Sequence, residues 1–471
     1  MHQMTGMDAS FLYMETSTAH MHVIGVVLLD PSTVPGGAES FGLVEIRKAL
    51  ADRLHLIPPL RRRAVAPPGK IDHPLWMEDP EFDLNAHLTR APLPTPVTWA
   101  ALERFTGEFA GISLERDRPL WSIAVVEGVE GGRVAMVAKL HHSIMDGAAG
   151  GELMASLFDL TAEVGTTVPP AEQWVPDAMP SSPALVMGSV ASFLARQREA
   201  PAAMVRTLVN VGNSARTWLA QRARGQNAAL TAPKSALNGS LSPRRSVSLT
   251  KVAIADVRTI KEAFGTTIND VVLAASGTSL RHYLLTRDQL PEEPLIVAVP
   301  VNVRSEEPGE ELGNQVSNMM VSLPLVPDDP VARLYAVHEN ALASKEMQST
   351  MGTQSLQEMS GFAPPSIMTF GARMYSGLHL SNYHRPIFNL IISNVPGPPI
   401  DLYCAGAVVR AIYPMGPLME GSGANITVLS EGDHLNVGVM ACPDVVPDVS
   451  EIGQGFVAAV AELLKLARKA G

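Results

Sequence analysis

The seven residues HHSIMDG, from His141 to Gly147, combine the side chains best suited to acid–base chemistry in this chain. If a β-strand runs into the histidine pair, adjacent side chains point to opposite faces, so His141 and His142 cannot do the same job. One imidazole packs inward, and the other can face a cavity. A neutral imidazole with an ordinary pKa of about 6.5 can accept a proton there at neutral pH.

Two alternatives compete with a catalytic interpretation of the pair. A metal site requires histidines that converge, whereas adjacent strand histidines diverge, and Cys404 and Cys442 lie in no ligand-spaced cluster. We therefore expect no metal. The other alternative is two hydrogen-bonded core histidines. Asp146 and Gly147, placed after a predicted hairpin and before a helix, favour a functional motif. Neither a GxSxG elbow nor an activated cysteine is found.

The elements that must position this motif are read from apolar periodicity. A β-branched run at 20–29 predicts a strand, and runs at 121–128 and 133–140 predict a hairpin closed by Val129, Glu130 and two glycines. Downstream of the motif, Leu153, Leu157 and Leu160 recur at helical spacing. The predicted arrangement is therefore a strand, a sharp turn and a helix.

The chain length of 471 residues exceeds one ordinary domain of about 100–200 residues. A proline-rich stretch near 166–183 marks a linker, so we predict an amino-terminal domain at 1–165, a linker with basic helices at 166–246 and a carboxy-terminal domain at 247–471. Further elements are predicted in the second half: a helix at 268–285 capped by Thr267, strands at 295–301, 388–393 and 435–440, and a final helix from Ser450.

Charge and cysteine content exclude several classes of protein. Lys and Arg number 36 against 47 Asp and Glu, a net charge of −11 that argues against a nucleic-acid partner. Two cysteines cannot form a disulfide framework and fit a reducing cytoplasm. No run approaches the roughly 18–20 apolar residues of a membrane span, and the first residues do not resemble a secretory signal.

One segment, 184–225, is basic within this acidic chain. It could lie on anionic lipid, bind the phosphate groups of a substrate or form a solvated helix pair that bridges the two halves. The methionine-rich stretch 347–374 offers either a pliable apolar surface for a lipid chain or ordinary core. The arginines of the basic segment are Arg196, Arg198, Arg206, Arg216, Arg222 and Arg224.

The motif HHSIMDG resembles the HHxxxDG signature of the chloramphenicol-acetyltransferase-like superfamily. Within that superfamily the chain resembles the bacterial wax ester synthase/diacylglycerol acyltransferase family, of the triacylglycerol synthase type. The resemblance runs from one end of the chain to the other. It rests on the ordered series MDASF at 7–11, PLW at 119–121, Asn269 with Asp270, Gly313 with Asn314, and SNVPGP at 393–398.

This resemblance implies two chloramphenicol-acetyltransferase-like α/β domains, each a mixed sheet with flanking helices, and an active site at their interface. It implies an acyl-CoA-dependent O-acyltransferase that esterifies diacylglycerol to triacylglycerol. Long-chain alcohols, which would give wax ester, are implied as optional second acceptors. His142 then acts as the general base. No cofactor is expected, since acyl-CoA is a co-substrate. The expected location is cytoplasmic, at the inner face of the membrane or on lipid inclusions.

The resemblance also suggests roles for neighbouring residues. His141 becomes a structural brace, and Asp146 holds the turn by pairing with an arginine that the sequence does not identify. Gly147 allows close backbone approach at the helix start. Asn269 is the candidate oxyanion donor, although Asn269 and Asp270 could equally cap the helix after Thr267.

Leu120 and Trp121 are candidates for an acyl channel, but they could equally fill the core, and core is favoured for Trp121. Two other functions stay open. One is a related enzyme that takes acyl groups from a carrier protein. The other is a non-catalytic protein that binds lipid inclusions.

Overall fold

The computed structural model describes residues 2–70, 72–144, 153–163, 174–176, 178, 180–181, 183–195, 198, 216, 231–302, 316–351 and 365–470. The α-helices with defined bounds are α1 (Gly6–Met14), α2 (Leu43–Arg53), α3 (Leu84–His87), α4 (Trp99–Ala110), α5 (Ile254–Phe264), α6 (Ile268–Leu285), α7 (Pro330–Met351), α8 (Pro365–Gly377) and α9 (Val449–Ala470). Residues 153–157 and 183–195 are also helical.

The strands form three sheets. They are β1 (His2–Gln3), β2 (His22–Asp30), β3 (Arg62–Val65), β4 (Leu75–Glu78), β5 (Leu88–Arg90), β6 (Trp121–Val129), β7 (Arg133–His141), β8 (Ser246–Ala253), β9 (Leu295–Asn302), β10 (Val316–Leu323), β11 (Leu390–Pro396), β12 (Tyr403–Cys404), β13 (Ala407–Met415), β14 (Ala424–Glu431) and β15 (His434–Ala441). The smallest sheet has the order β1-β4-β3.

The first six-stranded sheet has the order β12-β13-β2-β7-β6-β5. It is mixed, since β5 runs parallel to β6 while the other pairs are antiparallel. The predicted hairpin is confirmed as β6 and β7, and its turn places Gly131 and Gly132 at φ +83° and +72°, a conformation that glycine adopts without strain.

The second six-stranded sheet has the order β10-β9-β11-β14-β15-β8 and is also mixed. The predicted strands are present here, and their ends agree with the prediction to within three residues. Helix α6 begins where predicted, because the Thr267 hydroxyl accepts the Asp270 N–H at 3.2 Å. The predicted carboxy-terminal helix is α9, which packs on α6 and on this sheet.

Strands β12 and β13 come from the second half of the chain but belong to the first sheet. Ile412 of β13 pairs antiparallel with Val27 of β2. Close approach of the sheets depends on Gly438 of β15, where a Cβ atom would lie 2.2 Å from the Pro414 carbonyl oxygen. The division at 165 and 246 stays a prediction, and two strands from the second half of the chain, β12 and β13, complete the first sheet.

Both halves also share one hydrophobic cluster. Val26 and Val137 from the first sheet pack in the same cluster as Val247 and Met440 from the second. Strands buried on both faces are apolar at nearly every position, as in β7. The halves are therefore joined by continuous packing. Within the described ranges, no helix combines the length and the apolar character needed to cross a bilayer.

Candidate active site

The histidine pair sits where β7 ends and the chain turns. His141 is paired across the sheet with His22, and its N–H donates to the Leu120 carbonyl at 2.9 Å. The N–H of His142 donates to the carbonyl of Met21 at 2.9 Å. Both main-chain positions are thus fixed by neighbouring strands, so the first sheet sets where each imidazole points.

The His141 side chain is 1 % exposed and belongs to a buried polar cluster. Its Nδ1 accepts a hydrogen bond from the Ser143 N–H at 3.1 Å and lies 2.7 Å from the Ser143 hydroxyl. Because a backbone N–H can only donate, the neutral ring carries its proton on Nε2. That nitrogen lies 3.5 Å from a Glu15 carboxylate oxygen. Burial, reinforced by the positive charge of Arg116, holds the pKa of His141 well below its usual value.

The His142 ring is only half-buried and stacks on Phe11, with ring centroids 4.1 Å apart and planes 16° from parallel. Phe11 lies in the middle of α1, whose N-cap Thr5 accepts the Asp8 N–H at 3.1 Å. The two histidines therefore differ in accessibility. One is enclosed, whereas the other presents part of its ring outside the packed core.

Two further histidines, His20 and His22, lie near the pair, and the His22 ring centroid is 6.1 Å from that of His141. Burial is the main cause that lowers the pKa of His20 to about 4 and the pKa of His22 well below its ordinary value, with Arg245 and Lys139 adding positive charge. A cavity of about 10 Å³ is lined in part by His20, His22 and Arg245. The imidazoles of His20 and His22 are consequently uncharged at physiological pH.

Glu15, the residue after α1, forms an ion pair with Arg116 beside His141. The guanidinium of Arg116 contacts the Glu15 carboxylate and donates to the Leu12 carbonyl at 3.4 Å. Burial and, secondarily, the nearby charge of Arg373 lower the pKa of Arg116 to about 10, which still leaves it charged at neutral pH. Glu15 thus has a cation on one side and His141 on the other, so it links α1 to the end of β7.

The other predicted site residues are distributed differently. Asp146 and Gly147 lie outside the described residues. Leu120 is fully buried and Trp121 is 1 % exposed, both within the core beneath the first sheet. The Trp121 indole N–H donates to the Leu60 carbonyl at 2.7 Å, and its ring stacks on His87 at 4.5 Å. In this structure both side chains pack as core residues rather than along an open surface.

Asn269 lies in the first turn of α6 and is half-buried. The cap of that helix is formed by Thr267 and Asp270: the Asp270 carboxylate accepts the Thr267 N–H and hydroxyl, each at 2.8 Å. It also lies 2.7 Å from Nδ1 of His338. The capping hydrogen bonds therefore involve Asp270 and not the Asn269 side chain. None of the described contacts joins Asn269 to His142.

Thiol and metal chemistry find little support among the described residues. Burial raises the pKa of the Cys404 thiol to about 12, which keeps it protonated and unreactive. No group of three or more His, Cys, Asp or Glu side chains within the described ranges could hold a metal ion.

Sequence reasoning did not assign roles to Phe11, Glu15 or Arg116. Phe11 ends the MDASF series that contributed to the resemblance, so its position was visible although its stacking was not. Glu15 and Arg116 carry no local signal, because they meet only when α1 and the segment before β6 pack together.

Comparison with known families assigns the chain. The family model for the wax ester synthase/diacylglycerol acyltransferase catalytic domain matches residues 4–272, and the model for the WS/DGAT C-terminal domain matches 312–464. The chain belongs to the wax ester synthase/diacylglycerol acyltransferase family. It is thus an acyltransferase of this family, as the resemblance predicted. The catalytic-domain match includes both histidines, Phe11 and Asn269.

Named relatives of this family member span nearly its whole length. A protein of Mycobacterium tuberculosis H37Rv named "Putative diacyglycerol O-acyltransferase" is 36 % identical over 469 residues, which cover 99 % of this chain and 90 % of the relative. A second protein of the same strain and name is 35 % identical, with 100 % and 97 % coverage.

Solved structures confirm the predicted fold class. The wax ester synthase/diacylglycerol acyltransferase from Marinobacter aquaeolei VT8 superposes with a TM-score of 0.69 at 24 % identity, over 99 % of this chain and 100 % of that one. The first condensation domain of the calcium-dependent antibiotic synthetase has a TM-score of 0.57 at 16 % identity, over 98 % and 96 %. The family member therefore has the two-domain fold shared with condensation domains.

Proposed function

We propose that this protein transfers a fatty acyl group from acyl-CoA to the free hydroxyl of diacylglycerol, and also to long-chain alcohols, forming triacylglycerol or wax ester. The observation that carries the proposal is the pairing of an enclosed, neutral His141 with a half-exposed His142 held against Phe11, inside the region that matches the family's catalytic domain. Acyl-CoA serves as a co-substrate, and no cofactor is required.

In the proposed mechanism the His142 imidazole removes the proton from the acceptor hydroxyl. The hydroxyl oxygen attacks the thioester carbonyl carbon and forms a tetrahedral oxyanion. When this intermediate collapses, the C–S bond breaks, and the imidazolium returns its proton to the CoA thiolate. General acid–base catalysis of this kind contributes about 10²- to 10⁴-fold to a rate.

His141 is proposed to brace the turn, because its neutral ring accepts from Ser143 and its Nε2–H faces Glu15. Burial of His141 keeps a second positive charge away from His142 during turnover, which favours the imidazolium that the mechanism needs.

Asn269 is proposed as the donor to the oxyanion. Its side chain is not used in the helix cap, which leaves its amide for substrate. Loss of one such donor commonly costs about 3–4 kcal/mol of transition-state stabilisation.

The proposal is tested with purified protein, palmitoyl-CoA and dioleoylglycerol, by following CoA release and separating the lipid products. His142→Ala should lower kcat at least about a hundredfold and leave the thermal midpoint near that of the wild type. His282→Ala, at an exposed position on α6, is the matched control and should retain wild-type turnover.

Two results would contradict this assignment. Near-wild-type turnover in the His142 variant would remove the general base. A wild-type protein inactive with acyl-CoA but active with a carrier-loaded acyl group would instead establish the carrier-dependent alternative. Replacing dioleoylglycerol by hexadecanol, with palmitoyl-CoA as the donor in both assays, then shows which acceptor the protein uses.

A further inference from the structure

Helix α8 and the turn after it expose an unusual number of large apolar side chains. On α8, Ile367 is 64 % and Phe370 65 % exposed, while the opposite face contains Thr369 and the buried Ser376. Ile367 and Phe370 therefore face outward, on the side of α8 away from Ser376. The apolar side chains exposed across residues 365–387, which we call the docking surface, are Ile367, Phe370, Met374, Leu378, Leu380, Tyr383 and Ile387.

The segment 365–387, which carries the docking surface, differs in charge from the protein as a whole. Residues 365–387 include Arg373 and Arg385 but no Asp or Glu, in a chain of net charge −11. Arg373 is exposed on α8, whereas Arg385 pairs with Glu293 outside the segment. Glu420 lies behind the helix, where it accepts from Ser376 at 3.3 Å. Exposed apolar and aromatic groups beside basic ones are typical of helices that lie in a membrane interface.

The docking surface also adjoins the candidate active site. Helix α8 packs directly against α1, the helix that carries Phe11. The Ser376 hydroxyl lies 2.8 Å from the Thr18 hydroxyl, and Met368 packs against the core cluster that contains Leu12 and Tyr13 of α1. A surface bound at α8 is thus one helix away from His142.

We infer that the docking surface binds this enzyme to a bilayer of anionic phospholipid, so that diacylglycerol passes from that bilayer to the site beside Phe11. This inference rests on the proposed function, since diacylglycerol resides in membranes. The charge of Arg373 favours anionic lipid, and the apolar side chains enter the interface between headgroups and acyl chains. A second copy of the chain is the competing occupant, because an apolar surface can also be buried in a dimer.

The test measures flotation of the full chain with vesicles of phosphatidylcholine alone or with 30 % phosphatidylglycerol (roughly one anionic lipid in three). The wild type should bind the anionic vesicles. Ile367→Ser and Phe370→Ser should each lower the partition coefficient about tenfold or more, because each removes a large buried apolar group from the bound state. Arg373→Gln should lower it about fivefold on anionic vesicles and leave neutral vesicles unaffected.

The matched control is Val44→Ser on α2, since Val44 is 63 % exposed, like Ile367, but lies outside the docking surface. It should bind as the wild type does. Circular dichroism and the thermal midpoint without lipid verify that all variants fold. Wild-type vesicle binding by folded Ile367→Ser and Phe370→Ser would overturn the inference.

A lipid-free dimer that these same substitutions dissociate would also overturn it and assign the surface to self-association. Because flotation uses no acyl-CoA, a failure of docking is distinguishable from a failure of acyl transfer. Vesicle binding lost in the two variants, in a protein without transferase activity, would support docking while contradicting the proposed function.

Discussion

The Phe11 ring lies parallel to the His142 imidazole at 4.1 Å, although the two residues are 131 positions apart. This stacking ties the orientation of the imidazole to helix α1. Stacked aromatic pairs contribute about 0.5–1.5 kcal/mol beyond their burial, enough to favour one rotamer of a half-buried ring.

Phe11→Leu should therefore lower kcat by about two- to tenfold while stability changes little. Leucine preserves most of the apolar volume but offers no flat face to the imidazole. Steady-state kinetics at saturating palmitoyl-CoA measure the effect, and Phe11→Tyr, which retains the ring, should recover most of the rate. An unchanged kcat in the leucine variant would show that the stacking does not orient His142.

The arrangement at the start of α6 separates the two roles considered for Asn269. As an oxyanion donor outside the cap, Asn269→Ala should lower kcat by about 10²- to 10³-fold with little change in the thermal midpoint. Asp270→Ala should instead lower stability by about 1 kcal/mol or more, because it removes the capping carboxylate shared by Thr267 and His338. A stability loss in the Asn269 variant with normal turnover would reverse the two assignments.

Trp121→Phe tests whether this side chain belongs to the core or to an acyl channel. The substitution removes the hydrogen bond to the Leu60 carbonyl and leaves a small void, so we expect a loss of about 2–3 kcal/mol in the free energy of unfolding. Denaturant titration measures this loss. The relative rates with acyl-CoA donors of different chain length should not change. A shifted chain-length profile would place Trp121 on the channel.

His20 makes stability depend on pH. Its pKa is lowered from 6.5 to about 4 in the folded protein, so the unfolded chain binds more protons between these values. The contribution of neutral His20 to the free energy of unfolding is fully present above about pH 6.5. It decreases as the pH drops and is about 2 kcal/mol smaller at pH 5. His20→Gln should lose less stability than the wild type between pH 7 and 5 in denaturant titrations. The exposed His282→Gln control should retain the wild-type difference, and equal losses in both variants would contradict the assignment.

Glu431 makes stability depend on pH in the opposite direction to His20. Burial raises its pKa from 4.5 to about 7, while its carboxylate accepts from the Ile412 N–H and the Asn436 amide, each at 2.8 Å. The folded protein therefore holds a proton that the unfolded chain has released, and stability falls as the pH rises from about 4.5 to 7.

Glu431→Gln should remove this penalty and gain up to about 3 kcal/mol on the wild type between pH 4.5 and 8. Glu292→Gln, at an exposed position, is the control and should show no such gain. Because the contributions of Glu431 and His20 oppose each other, the wild-type profile alone can look flat. A constant difference between Glu431→Gln and the wild type would disprove the raised pKa.

Local patterns in the sequence determined much of the secondary structure. The hairpin of β6 and β7 follows from apolar runs around a glycine-rich turn, and α6 follows from Thr267 and an apolar face. These signals involve residues within a few positions of one another, so they survive without tertiary context. The motif HHSIMDG was likewise sufficient to locate the histidine pair at the end of a strand.

Only the tertiary structure decided what surrounds that pair. The insertion of β13 beside β2, the stacking of Phe11 on His142 and the meeting of Glu15 with Arg116 all join distant parts of the chain. The outward apolar face of α8 is also invisible in sequence, because the same residues would fill a core if the helix were rotated. Such contacts depend on how whole elements pack against each other, and no local spacing encodes that packing.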